Sequence, residues 1–181
     1  MNVLITGGGC EEPIDGVRYI ANFSTGATAA HIARALAGAG HSVTALFSQR
    51  SLAPGGAAAN LGSEADQGSD ADQGSASGCI EVRSFRSFAD LRAALEQALA
   101  ERAYGLVAHA AAVSDYGVDS VAVDGDCRPG GVLLKVDSDR SVSIRLRPHP
   151  KLVDSIKNLA RDGNCVLGAF KLKNGSSEDG R

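Results

Sequence analysis

Short runs of β-branched and aliphatic residues alternate along this chain with stretches of helical periodicity. That alternation restricts the fold more than any other feature of the sequence. Residues 3–6 form a brief apolar run ending in Gly7-Gly8-Gly9, the pattern of a buried strand entering a tight loop. Residues 27–39 place Ala30, Ile32, Ala33, Leu36 and Ala37 near helical spacing and stop at Gly38-Ala39-Gly40; residues 42–47 are again apolar and β-branched. Strand, helix and strand in that order build a parallel pair through a right-handed crossover. The order recurs: residues 80–85 alternate as a strand, Phe88, Leu91, Leu95 and Leu99 share one helical face, and residues 106–112 read as a buried strand. A hairpin is predicted where residues 132–136 and 142–146 alternate around Asp137-Ser138-Asp139-Arg140, followed by a helix over 152–159 and a last strand over 165–170. The expected fold is a three-layer, Rossmann-like α/β domain with a mostly parallel sheet and a protruding β-hairpin.

With 181 residues, 44% of them hydrophobic, the chain suffices for one such domain and not two. Residues 53–78 interrupt it with an acidic near-repeat, Ser63-Glu64-Ala65-Asp66-Gln67-Gly68 and then Ser69-Asp70-Ala71-Asp72-Gln73-Gly74. Too few apolar residues stand there to offset the entropy of ordering, so a disordered acidic insertion is expected. Its Asp spacing lacks the terminal Glu of a calcium loop. A polar tail over 173–181 carries no pattern. The net charge of −3, with no block of Lys or Arg, argues against a nucleic-acid partner or an anionic membrane surface. No signal-like leader and no run near the ~20 apolar residues of a bilayer span is present, so a cytoplasmic location is expected. Cys10, Cys79, Cys127 and Cys165 form no C-x-x-C pair, and His31, His41, His109 and His149 are equally scattered. Reduced thiols are expected, and structural zinc is not.

Ligands of an open parallel sheet bind beyond the carboxyl ends of its strands, which directs attention to the loops there. The first, GGGCEEPIDGVRYIANFSTG, opens with Gly7, Gly8 and Gly9 and closes with Ser24, Thr25 and Gly26 at a helix start. Glycines let backbone N–H groups approach an anion, and a helix N-terminus adds unpaired donors, although the same glycines would also serve a plain tight turn. The spacing is no dinucleotide fingerprint, because Glu12 stands where the third glycine would be, and no Gly-Lys-Ser/Thr makes a Walker loop. Arg18 and Asn22 add a cation and an amide that could hold a carboxylate or phosphate, or simply anchor the loop. The second loop, AAAVSDY, has small residues that let a flat ring lie on the backbone, and Asp115 is either a cap or a group that helps hold Mg²⁺.

Together these segments resemble the phosphopantothenate–cysteine ligase family. The first loop is similar to that family's Gly-Gly-Thr-x-Glu-x-Ile/Leu-Asp-x-Val-Arg segment leading to Asn-x-Ser-Ser/Thr-Gly, and the second to its Ala-Val-Ala/Ser-Asp-Tyr. Downstream, Leu134-Lys135, the run SIRLRPHPKLV and Gly168-Ala169-Phe170-Lys171-Leu172 resemble its lysine flap, its helix entry and its Gly-Phe-Lys-Leu strand. The resemblance implies that Gly7, Gly8, Gly9, Ser24, Thr25 and Gly26 surround phosphates, that Asn22 contacts an acyl-nucleotide intermediate, and that Arg18 binds substrate. It implies that Asp115 and Phe170 border the nucleotide, that His109, Ala110 and Ala111 offer it backbone, and that Lys135 swings in as the flap lysine.

The implied reaction joins 4'-phosphopantothenate to L-cysteine in coenzyme A synthesis. It uses CTP, or less favourably ATP, with Mg²⁺ that Asp115 helps to hold, and the implied assembly is a homodimer. The sequence departs from the pattern at Cys10, which stands in place of a Thr, and in the flap, where Lys135 has Arg128 as its nearby cation. The family also continues beyond the position of Phe170 with a helix and strand bearing further basic contacts, whereas residue 181 is the last here. Two other functions fit the residues. One is an NAD(P)-dependent Rossmann reductase, disfavoured by Glu12 and by the lack of a Tyr-x-x-x-Lys pair; the other is a nucleotide-binding module without turnover.

Overall fold

In the computed structural model the elements in chain order are β1 (Asn2–Gly7), β2 (Glu11–Pro13), β3 (Tyr19–Ala21), α1 (Ala27–Gly38), β4 (Ser42–Ser48), β5 (Ile80–Phe85), α2 (Phe88–Glu101), β6 (Leu106–His109), β7 (Tyr116–Val123), β8 (Asp126–Pro129), β9 (Val142–Pro148), α3 (Leu152–Leu159) and β10 (Val166–Ala169). The structure describes residues 1–51, 78–131, 135–137, 139–161 and 165–170. The acidic insertion, apart from Gly78, and the polar tail lie outside the described residues.

Along β1, Val3 and Ile5 enter one apolar cluster and Leu4 another, all fully buried. A strand dry on both faces must be central and covered by a layer on each side. The sheet accordingly runs β10-β6-β1-β4-β5, all strands parallel, with β1 in the middle. On one face α1 lays Ala29, Ala30, Ala33 and Ala37 against Val3, Ile5, Val43, Ala45 and Phe47. On the other, α2 and α3 bury Leu91, Leu95, Leu99, Leu152 and Ile156 with Leu4, Leu46 and Val107. The chain leaves β1 for β4 on one side and returns through α2 to β6 on the other, so the crevice above β1 and β6 is the topological switch point.

Local chemistry fixes the helix ends. At the end of α1, Gly40 N–H bonds Ala37 O at 2.9 Å and His41 N–H bonds Leu36 O at 3.1 Å, with Gly40 at φ +82°. This paired arrangement satisfies the last carbonyls and requires a left-handed residue, which glycine supplies. α2 starts with a capping box: Ser87 Oγ accepts from Asp90 N–H at 3.2 Å, and Asp90 Oδ2 from Ser87 N–H at 2.9 Å.

Two expectations are corrected. Residues 142–146 do form a strand, but β9 pairs antiparallel with β7, and β7 pairs with β8, giving a three-stranded sheet β8-β7-β9. Residues 135–137 belong to no strand, and residues 132–134 lie outside the described residues. A register shift between Val118 and Ser120 breaks the alternation of β7, which hides its period in the sequence. The first loop, expected to lack strands, holds the β2–β3 hairpin, whose three-residue strands are too short to show a period.

Candidate functional site

The first two loops are zipped together above the switch point. Ala110 N–H donates to Thr6 O at 3.1 Å, Ala112 N–H to Gly8 O at 2.8 Å and Cys10 N–H to Ala112 O at 3.2 Å. The β1–β6 pairing thus continues past the strand ends, and Gly9 and Ala112 form one more parallel bridge. The glycines are required by crowding. A side chain at Gly7 would strike Ala29 and the Phe47 ring, and one at Gly9 would overlap the Asn22 carbonyl oxygen. Gly8 and Gly26 hold φ +87° and +74°, conformations that L side chains rarely adopt. Gly26 is the N-cap of α1 and has no side chain to cap it, and no acid stands in the first turn. Ser24 Oγ and Thr25 Oγ1 accept from the N–H groups of Gly26 and Ala27 at 3.4 and 3.3 Å and shape that turn. The helix start thereby keeps its positive end toward the glycine loop.

Asn22 joins the two loops. Its N–H donates to Cys10 O at 3.1 Å and its Nδ2 donates to Val113 O at 3.1 Å. Beneath them, Thr6 Oγ1 lies 2.9 Å from His109 Nδ1 and accepts from Ala111 N–H at 3.2 Å. Burial pushes His109 down to about 4, so its imidazole is neutral at pH 7. Phe170 N–H donates to His109 O at 3.2 Å, which carries the exposed Phe170 ring to the same strand ends. Cys10, at the family's Thr position, is fully buried, and burial pushes its thiol up to about 11, where it is protonated and inert.

Arg18 and Lys135 are placed differently. Buried Asp15 accepts from the N–H groups of Val17, Arg18 and Val136 at 2.8, 2.6 and 3.3 Å. Burial opposes its ionised form, but those N–H groups and the Arg18 guanidinium outweigh it and hold the carboxyl below the usual range. Arg18 in turn donates to Val136 O at 2.8 Å. The segment at Val136, which the resemblance implies to be the flap, is therefore pinned to the tip of the β2–β3 hairpin, not to the glycines. Exposed Lys135 lines a cleft of about 410 Å³ with Arg128, Arg140, Asp124 and Asp126. Asp115 is exposed and paired with the Lys151 ammonium, whose pKa that bond raises. Among the described residues no cluster of three or more His, Cys, Asp or Glu could hold a metal ion by itself. A lone exposed carboxylate fits Mg²⁺ carried mainly by substrate phosphates and not a protein cage.

The sequence reading missed a cluster beside the glycines. Arg50 and Arg86, which follow β4 and β5, both pair with Glu11 and lie near the Tyr19 ring. No spacing links these residues; only the order of the strands brings them together.

Residues 1–60 match the family model described as the DNA/pantothenate metabolism flavoprotein C-terminal domain. The chain is 29% identical over 177 residues to the coenzyme A biosynthesis bifunctional protein CoaBC of Thermococcus kodakarensis, covering 98% of this chain. It spans about a third, 35%, of that relative's length. Its fold is similar to the crystal structure of the DNA/pantothenate metabolism flavoprotein from Streptococcus pneumoniae, with a TM-score of 0.67, 22% identity, and coverage of 92% of this chain and 67% of that one. It is also similar to a Cab2 variant in complex with phosphopantothenate-cysteine, with a TM-score of 0.71, 22% identity, and coverage of 97% and 65%. Among the described residues no helix is long and apolar enough to cross a membrane.

Proposed function

From these likenesses to the phosphopantothenate–cysteine ligase family, we propose that the chain takes part in joining 4'-phosphopantothenate to L-cysteine through an acyl-nucleotide intermediate, a step of coenzyme A synthesis. The observation that carries this reading is the junction at the switch point. There a glycine loop, an uncapped helix start and the Asn22 amide, fixed across both loops, converge on one crevice. The first two suit a phosphate chain. An amide oriented by a backbone carbonyl can hold a mixed anhydride without adding charge.

In this reading Gly7, Gly8, Gly9, Ser24, Thr25 and Gly26 surround the phosphates, Asp115 and Phe170 border the nucleotide, and His109, Ala110 and Ala111 offer it backbone. Arg18 sets the substrate side of the hairpin. Bound Mg²⁺ would offset triphosphate charge, with Asp115 released from Lys151 to reach it. CTP is favoured over ATP as the co-substrate. Lys135 approaches the leaving pyrophosphate, which requires the pinned flap to close or a second subunit to present it. The exposed residues Val142, Ile144 and Leu146 on β9 are the surface through which a homodimer would form.

The test is pyrophosphate release from CTP in the presence of 4'-phosphopantothenate, with and without cysteine. Asn22→Asp should slow amide formation more than pyrophosphate release, because a carboxylate repels the intermediate. Lys135→Ala should slow pyrophosphate release on the order of a hundredfold to a thousandfold with little change in substrate affinity. Nucleotide binding with no pyrophosphate released would instead assign a module without turnover, and binding of NADPH alone a reductase.

A further inference from the structure

Glu11 is a buried carboxylate whose side chain is only 8% exposed, held by two cations. Arg50 Nε lies 2.6 Å from Oε1 in an ion pair and Arg86 Nε donates to Oε2 at 2.8 Å, while Glu11 N–H donates to Arg86 O at 2.9 Å. One guanidinium neutralises one carboxylate, so the second is in excess. Of the nearby acids, Glu12 accepts from Phe88 N–H and lies 3.5 Å from His149 Nε2, while Asp90 closes the capping box and accepts from the Arg86 backbone N–H; among the described residues only Glu11 forms an ion pair with either guanidinium. Both arginines reach Glu11 through Nε. Their outer N–H edges make no hydrogen bond among the described residues, and the side chains are 67% and 55% exposed.

The pair is ordered and well placed. The Tyr19 ring lies 4.8 Å from the Arg50 guanidinium carbon and 5.9 Å from that of Arg86, which limits the freedom of both side chains. Arg50 and Arg86 stand just past the carboxyl ends of β4 and β5, the ligand end of the sheet. The chain neighbour of Arg50 is Ser51, and Ser51 packs on the glycine cradle: a Cβ at Gly8 would lie 2.8 Å from its side chain and one at Gly26 3.0 Å. Two planar forks held at one side of an anion cradle, with their outer edges open, match the geometry of a phosphate group.

We propose that Arg50 and Arg86, oriented by Glu11 and Tyr19, bind a phosphate group of a substrate at the rim of the glycine loop. Assigning that phosphate to a ligase substrate rests on the function proposed above; the anion site itself does not. Two sources carry the chemistry, the phosphates of the nucleotide and the 4'-phosphate of phosphopantothenate.

Calorimetry of the full chain with inorganic pyrophosphate, CTP, 4'-phosphopantothenate and pantothenate tests this. Arg50→Gln and Arg86→Gln should each weaken at least one phosphate-bearing probe on the order of tenfold or more, and leave pantothenate unchanged. Arg50→Lys should lose less, since it keeps the charge without the fork. A loss for CTP assigns the nucleotide, and a loss for 4'-phosphopantothenate assigns its phosphate. If a single variant fails to fold, Glu11→Gln combined with Arg50→Gln removes the buried charge with its partner and carries the same expectation. Unchanged affinity for all three phosphate probes in folded variants overturns the proposal, and so does an equal loss for pantothenate. A wild type that binds none of the probes also overturns it. If wild type binds pyrophosphate but neither substrate, the ligase reading fails while the arginine pair is still decided by the pyrophosphate arm.

Discussion

A methyl group at position 9 would overlap the carbonyl oxygen of Asn22, the residue that ties the two loops together. Gly9→Ala should therefore destabilise the protein on the order of 2 kcal/mol and weaken the proposed nucleotide binding, which melting curves and calorimetry would measure together. His109 makes a second prediction at this scale. Its folded pKa, about 4, lies below the ordinary 6.5. Between those values the unfolded chain binds more protons, so stability is full above pH 6.5 and falls as the pH drops toward 4. The full loss amounts to on the order of 3 kcal/mol. Urea midpoints measured from neutral to acid pH should show that slope in wild type and a shallower one in His109→Gln. An equal slope in both would mean that the imidazole titrates freely.

The helices are set by features a few residues long, and their energetics follow from those features. Ser87→Ala removes the capping hydroxyl of α2 and should cost about 1 kcal/mol in denaturant unfolding. Gly38, the last residue of α1, has negative φ, and a Cβ there would meet nothing within 4 Å. Gly38→Ala should consequently stabilise by up to about 1 kcal/mol, by restricting the unfolded chain. Gly40, two residues on, holds φ +82°, and alanine there should have the opposite sign. The three-stranded sheet behaves differently, because β9 is exposed along its whole length and its apolar residues are not covered by other described residues.

For the whole molecule, that uncovered strand predicts association. Ile144→Lys should shift the protein from dimer to monomer in sedimentation with its melting behaviour little changed, and a monomeric wild type would refute the dimer. The parallel sheet, both helical layers and the loops at its ligand end were legible in the sequence, because side-chain alternation, helical spacing and glycine stops act over a few residues. The contiguous segment from Gly7 to Gly26 also drew attention to Asn22 and the glycines, which the structure brings together at the strand ends. The partner of β9 was not legible, since residues 132–136 offered an alternation as good as that of β7, whose own period a bulge interrupts. Neither was the attachment of Val136 to Asp15 and Arg18, nor the meeting of Arg50, Glu11 and Arg86 on Tyr19. Sequence by itself determined where the strands and helices of the parallel sheet and the glycine loop would form, because backbone conformation answers to near neighbours. Only the tertiary structure decided which distant charges share one carboxylate, because the order of strands in the sheet, and not their order in the chain, sets those distances.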